Sequence, residues 1–153
     1  MSTAVQDAIE RQLVIPVGRQ RVWEAITTPN QIAGWFSDSV TMELAPGSPI
    51  LFHWDGYGDR RGRVETVDPP SRFAYRWIPT DESDQSIPFD EVPSTLVEYT
   101  LEETSEGTRV TVTESGFSAL PAAVREQMVR GNTEGWIAKT TALLDYLVKE
   151  QAN

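Results

Sequence analysis

The chain has 153 residues, a formal net charge of −10 and no cysteine. That length fits one domain with a core large enough to enclose a void, and the absence of thiols excludes a disulfide framework and a thiolate metal site. The acidic balance opposes the basic footprint that nucleic-acid binding requires.

The start of the chain, Met1 to Asp7, carries neither a basic n-region nor an apolar h-region, and no window approaches the roughly 18 apolar residues of a membrane helix. A cytoplasmic protein without a membrane span is expected. Ile9 to Ile15 alternates apolar and polar residues as a strand does, and Pro16 to Gly18 ends it. A helix follows over Arg19 to Thr27, with Val22, Ala25 and Ile26 on one face. Thr28-Pro29 stops that helix, and Asn30 is placed to cap a second short turn carrying Ile32, Trp35 and Phe36.

Four strands come next, Val40 to Leu44, Ile50 to Trp54, Arg60 to Val67 and Phe73 to Ile78. Their separators, Pro46-Gly47, Asp55-Gly56-Tyr57-Gly58 and Asp68-Pro69-Pro70, are turn chemistry. Residues 79–94 hold three prolines and five acids, which cannot continue a central strand. They read as a long loop, either a lid or a solvated connection. Thr95 to Glu103 and Thr108 to Glu114 make a last hairpin about Ser105-Glu106-Gly107.

Pro121 to Lys149 then runs as a long helix, with Val124, Met128, Val129, Trp136, Ile137, Thr140, Leu143, Leu144 and Leu147 as its buried stripe. Gly131 and Gly135 lie inside it, where each costs about 1 kcal/mol against Ala. They call for a kink, for close packing on the sheet, or for room beside Trp136 for a ligand. Strands followed by one long helix make an α+β arrangement, with an antiparallel sheet burying one face on that helix.

The charge is uneven. Asp81, Glu82, Asp84, Asp90, Glu91, Glu98, Glu102, Glu103 and Glu106 occur in a stretch with no Lys or Arg. Arg60, Arg61, Arg63, Arg72 and Arg76 form the nearest thing to a basic cluster and read as arginines on the solvent face of paired strands.

These pieces, in order, resemble the START-like helix-grip proteins, also called the polyketide cyclase/dehydrase and lipid-transport (SRPBCC) superfamily. The resemblance is to the branch named for the C-terminal domain of the activator of heat-shock protein 90 ATPase. It is carried by Pro16, Val22-Trp23-Glu24-Ala25-Ile26-Thr27 with Pro29, Gly34-Trp35-Phe36 and Pro46-Gly47. Further on it is carried by the run from Gly62 to Pro70 leading into Phe73-Ala74-Tyr75-Arg76-Trp77, by Gly107-Thr108, by Gly116-Phe117, and by Gly135-Trp136 before Leu143. The resemblance implies a single START-like domain over residues 1–153, with a curved antiparallel sheet of six or seven strands gripping the C-terminal helix around a cavity. Ser48, where a second glycine is usual, and the long connection 79–94 depart from the pattern. The second departure could remodel the cavity mouth.

Strand parity groups Phe52 with Trp54, Phe73 with Tyr75 and Trp77, Val97 with Tyr99 and Leu101, and Val110 with Val112. The candidates for a ligand-binding wall are Trp35, Phe36, Phe52, Trp54, Phe73, Tyr75, Trp77, Tyr99, Trp136 and Leu143, with simple core packing as the alternative use of each. His53, the only histidine, falls opposite Phe52 and Trp54, so it reads as an outward, structural residue, and no ligand spacing supports a metal. Asp55, Gly58 and Asp59 do not follow the order of a calcium loop and read as a hairpin turn. Gly56-x-Gly58 lacks the strand-to-helix setting of a dinucleotide site.

Glu114, on the parity of Val110 and Val112, is the one weak catalytic candidate, paired with Tyr75 or Tyr99. The expected function is binding of a small apolar or amphipathic molecule, with no cofactor and no metal, by a monomer or homodimer. Two alternatives are a chaperone-associated or stress-response interaction protein using residues 81–106, and a cyclase- or hydrolase-like enzyme on the same fold.

Overall fold

In the computed structural model, which describes residues 7–80 and 86–151, the alternating segments become seven strands. They are β1 (Ala8–Ile15), β2 (Ser39–Met42), β3 (Pro49–Trp54), β4 (Gly58–Asp68), β5 (Arg72–Trp77), β6 (Thr95–Thr104) and β7 (Gly107–Ser115). The helices are α1 (Arg19–Thr27), α2 (Pro29–Ile32) and α3 (Ala122–Gln151). One antiparallel sheet has the order β1-β7-β6-β5-β4-β3-β2, so each hairpin partner is adjacent and only β1 returns from the start of the chain to pair with β7.

Register makes the inward face continuous. Ile9 faces Glu114, Glu114 faces Val97, Val97 faces Tyr75 and Tyr75 faces Val64. This row and its neighbours two residues away bury their side chains under α1, α2 and α3. Phe73, Tyr75, Leu101, Phe117, Leu143 and Leu147 are all fully buried, and each such side chain contributes roughly 1.5–3 kcal/mol by leaving water.

Two glycines of the family pattern owe their place to close approach. A Cβ on Gly34 would lie 2.6 Å from Tyr146 Cε1 of α3, so a glycine lets the turn after α2 meet that helix. At Gly107, where φ is +139°, a Cβ would fall 2.1 Å from the carbonyl oxygen of Ile15. Only a residue without a side chain lets β7 start beside the end of β1 there.

Several sequence expectations change. Thr28, not Asn30, is the N-cap of α2, with Pro29 in the first turn where its missing N–H costs nothing. The strand expected over Val40 to Leu44 ends at Met42, and Leu44 is exposed. Ile137, placed in the buried stripe of the C-terminal helix, is 48% exposed, because the buried face runs through Val129, Trp136, Thr140, Leu143 and Leu147 and Ile137 lies about 100° around the helix from Trp136. Arg60 is not on the solvent face. It stands in register with Phe52 and so shares the inward face.

The connection after β5 is not a lid over the inward face in its described part. Arg61 and Arg63, on the opposite parity from Arg60, hold it on the outer face. Arg61 Nη1 donates to the carbonyl of Ile87 at 2.9 Å, Arg63 pairs with Asp90 at 2.9 Å, and its guanidinium lies 4.7 Å from the Phe89 ring centre. Of the acidic stretch, Asp81, Glu82 and Asp84 lie outside the described residues, as does the start of the chain up to residue 6. Glu98 pairs with Arg72, Glu103 with Arg19 and Glu102 with Arg109. Exposed pairs of this kind contribute about 0–1 kcal/mol each, but they lower the net charge this surface shows to a partner.

Among the described residues no helix is long and apolar enough to cross a membrane, and no group of three or more His, Cys, Asp or Glu residues could hold a metal ion.

Candidate functional site

The predicted aromatic wall divides into two parts. Trp35, Phe36, Phe52, Phe73, Tyr75 and Tyr99 surround a void of only about 10 Å³, so this part of the grip is filled by its own rings. Leu143 is fully buried in the same core. Trp35 is tied down further by its indole N–H, which donates to the carbonyl of Ala25 at 2.9 Å. At the other end, the sheet and α3 separate into a groove of about 540 Å³. Its sheet side carries Trp54, Tyr57, Arg60 and Trp77; its helix side carries Gly131, Asn132, Gly135, Trp136 and Lys139; Phe36 lies between them.

Phe36 joins the two parts. Its ring centre is 5.2–5.8 Å from those of Trp35, Phe52, Trp54, Trp77 and Trp136, within the range of favourable aromatic pairing. The end of β3 is also fixed, since Trp54 Nε1 donates to the Phe36 carbonyl at 3.0 Å.

Neither glycine of α3 packs against the sheet. A Cβ added at Gly131 or Gly135 would meet nothing within 4 Å, and α3 runs unbroken through both. Their helix-propensity cost therefore secures open space beside Trp136. Tyr57, at the tip of the β3–β4 hairpin, is 93% exposed although it borders the groove, and it stands between Gly56 and Gly58, both at positive φ.

Glu114 lies behind this wall, fully buried. It accepts from Trp136 Nε1 at 2.8 Å, Trp77 Nε1 at 2.9 Å, Thr95 Oγ1 at 2.5 Å and Asn132 Nδ2 at 3.0 and 3.1 Å to its two oxygens. A carboxylate accepts without donating, so four donors converge on it from β5, β6 and α3. The arrangement orients two of the three indoles that border the groove, those of Trp77 and Trp136, and leaves neither carboxylate oxygen without donors. The tyrosines paired with Glu114 in the sequence reading satisfy each other, with Tyr75 Oη and Tyr99 Oη 3.1 Å apart.

Burial raises both tyrosine pKa values above the ordinary 10.0; their contact raises Tyr75 further and holds Tyr99 back in part, and the charge of Glu114 raises both. The native state thus keeps both phenolic protons to a higher pH than the unfolded chain does. Stability is then unaffected by this pair below pH 10, and above it falls with rising pH, because the unfolded state binds fewer protons there. The expected observation is a steep loss of urea resistance on raising the pH above 10. It should become shallower in the Tyr75→Phe/Tyr99→Phe double variant, and an unchanged slope would contradict the assignment.

His53 is outward, as expected, and belongs to the hairpin carrying Tyr57. Its Nδ1 lies 2.7 Å from Asp59 and its Nε2 3.0 Å from Asp55. The bond to Asp59 raises its pKa above the ordinary 6.5, with Asp55 adding to the shift and partial desolvation opposing it. The backbone N–H of Asp55 donates to Asp38 at 2.5 Å. The two aspartates thus serve the turn.

Tyr57, Arg60, Asn132 and Lys139 escape a reading based on aromatic rows. Helix periodicity could have found two of them, since Asn132 precedes Trp136 by four residues and Lys139 follows it by three, on one face.

An antiparallel sheet gripping a long C-terminal helix, with a groove where the two part, defines a START-like helix-grip protein. The chain belongs to the family described as activator of Hsp90 ATPase homolog 1-like protein, which it matches over residues 16–148. Protein MLL2253 from Mesorhizobium loti has the same fold, with a TM-score of 0.76 at 21% identity over 93% of this chain and 97% of its own. The Aha1 dimer from Colwellia psychrerythraea gives 0.74 at 18% identity over 93% of this chain and 96% of its own. DynU16, of the dynemicin biosynthetic locus, gives 0.74 at 24% over 93% of this chain but 47% of its own. No curated protein matches the chain. Likeness at these identities is one of fold, and function has to be argued from the groove.

Proposed function

We propose that this protein binds a small hydrophobic or amphipathic molecule in the groove between the end of the sheet and α3. The observation that carries this reading is the pair of mid-helix glycines, Gly131 and Gly135, which border about 540 Å³ of open space against Phe36, Trp54, Trp77 and Trp136. That volume falls in the range of small-molecule sites, about 300–1,000 Å³, and such sites combine apolar walls with a few polar groups. The ligand-binding set is then Phe36, Trp54, Trp77 and Trp136 with the polar Arg60, Asn132 and Lys139. Trp35, Phe52, Phe73, Tyr75, Tyr99 and Leu143 support it as core.

Native mass spectrometry of the purified protein, with a thermal-shift panel of apolar and amphipathic compounds, tests the reading. Retention of a small molecule or a dose-dependent shift is expected; a protein that retains none and shifts with none refutes it. Gly135→Ala sharpens the test, because its methyl group enters the groove without meeting protein. It should raise stability by about 1 kcal/mol and weaken ligand binding, whereas a glycine kept only for packing would lose stability on substitution.

A second reading, a chaperone-associated interaction protein, draws support from the description of the family. The ion pairs of Asp90, Glu98, Glu102 and Glu103 speak against a purely acidic contact surface. A pull-down with an Hsp90-type chaperone at low and high salt separates the two readings, and absence of binding at low salt removes this one.

A further inference from the structure

The charged residues described at the groove have the opposite sign to the chain as a whole. In a protein of net charge −10, none of the described residues bordering the groove is acidic, and two are cationic. The two cations come from opposite walls: Arg60 from β4 and Lys139 from α3. The Arg60 guanidinium lies 4.6 Å from the Trp77 ring centre and 5.6 Å from that of Trp54, and Lys139 Nζ lies 6.0 Å from that of Phe36. Both are therefore held on the same aromatic floor, and Lys139 has no ion-pair partner among the described residues. The nearby carboxylate, Glu114, is fully buried behind the indoles with four donors on it.

Resting on the ligand-binding reading, we propose that the groove selects an anion: a molecule with an apolar body and one carboxylate or similar acid group. The body lies against Trp136 and Phe36 over the open glycine side of α3, and the acid group sits between Arg60 and Lys139. Apolar walls limit the water around the charges, so attraction there outweighs the same pair in open solvent. The cation–π contacts keep both side chains at the groove before a ligand arrives, which reduces the ordering cost of binding. The overall negative charge of the chain slows the approach of anions without altering this local preference.

The test compares acids with their neutral amides. Binding of 2-naphthoate and 2-naphthamide to the full chain is measured by calorimetry, and decanoate with decanamide repeats the comparison on a flexible body. At least one acid should bind about tenfold more tightly than its amide. Lys139→Met should lower the affinity for that acid about tenfold and leave that of its amide unchanged, with Lys139→Arg restoring most of the loss. Lys139 is half-buried on α3, so its replacement by Met is compatible with folding, which an unchanged melting curve would verify. If acid and amide bind alike in both pairs, or if Lys139→Met weakens acid and amide equally, the proposal is overturned while ligand binding by the groove stands. If none of the four binds and the wider panel is also silent, both fall.

Discussion

Glu114→Gln is expected to lower the stability of the protein by about 3 kcal/mol, read as a shift of the urea midpoint with the slope unchanged. Replacing one carboxylate oxygen with an amide N–H₂ group points donors at donors. One oxygen receives Trp136 and Asn132, the other Trp77, Thr95 and Asn132. The Thr95 hydroxyl can turn round to accept, but an indole N–H cannot. Whichever way the amide is placed, one indole loses its acceptor inside the protein, and relaxing that conflict must move the groove wall. A general base would behave in the opposite way, with Gln preserving stability and abolishing turnover. A Glu114→Gln protein as stable as the parent would therefore overturn the positioning role given to this carboxylate.

Trp136→Ala is expected to cost about 3–5 kcal/mol, the usual range for removing a buried tryptophan, and to abolish ligand binding. The ring is 3% exposed and packs against Phe36, Trp77 and Tyr99 at 5.7, 5.8 and 6.1 Å between centres. It also gives Glu114 one of its donors. Trp136→Phe separates the two roles, since it keeps most of the packing and removes only the donor. It should cost about 1 kcal/mol and retain part of the binding. Equal losses from the two substitutions, measured by urea denaturation, would show that the hydrogen bond and not the ring dominates.

The architecture was legible because it depends on local and ordered signals. Strand alternation placed all seven strands to within a few residues, and Gly34 and Gly107 stand where a Cβ would collide, with the Tyr146 ring in the first case and the Ile15 carbonyl in the second. The site was legible only in part. Parity assigned Phe52, Phe73, Tyr75 and Tyr99 to the same face as Trp54 and Trp77, but parity has no information about distance along the strand from the point where α3 leaves the sheet. That non-local quantity decides which rings fill the core and which border the groove. Arg60 shows the same gap, because its inward position follows from its pairing with Phe52 across a hairpin rather than from its own chemistry.

The open space at Gly131 and Gly135 has a consequence for how proteins of this design could diverge. A methyl group at either position takes volume from the groove, touches no other side chain and favours the helix, so the groove can be reshaped in small steps that do not endanger folding. The carboxylate behind the wall lacks that freedom, since four partners would have to change with it. Selection on the shape of the groove therefore has an open route on one side of α3 and a closed one on the other, and lineages of this fold would be expected to vary at the former while holding the latter.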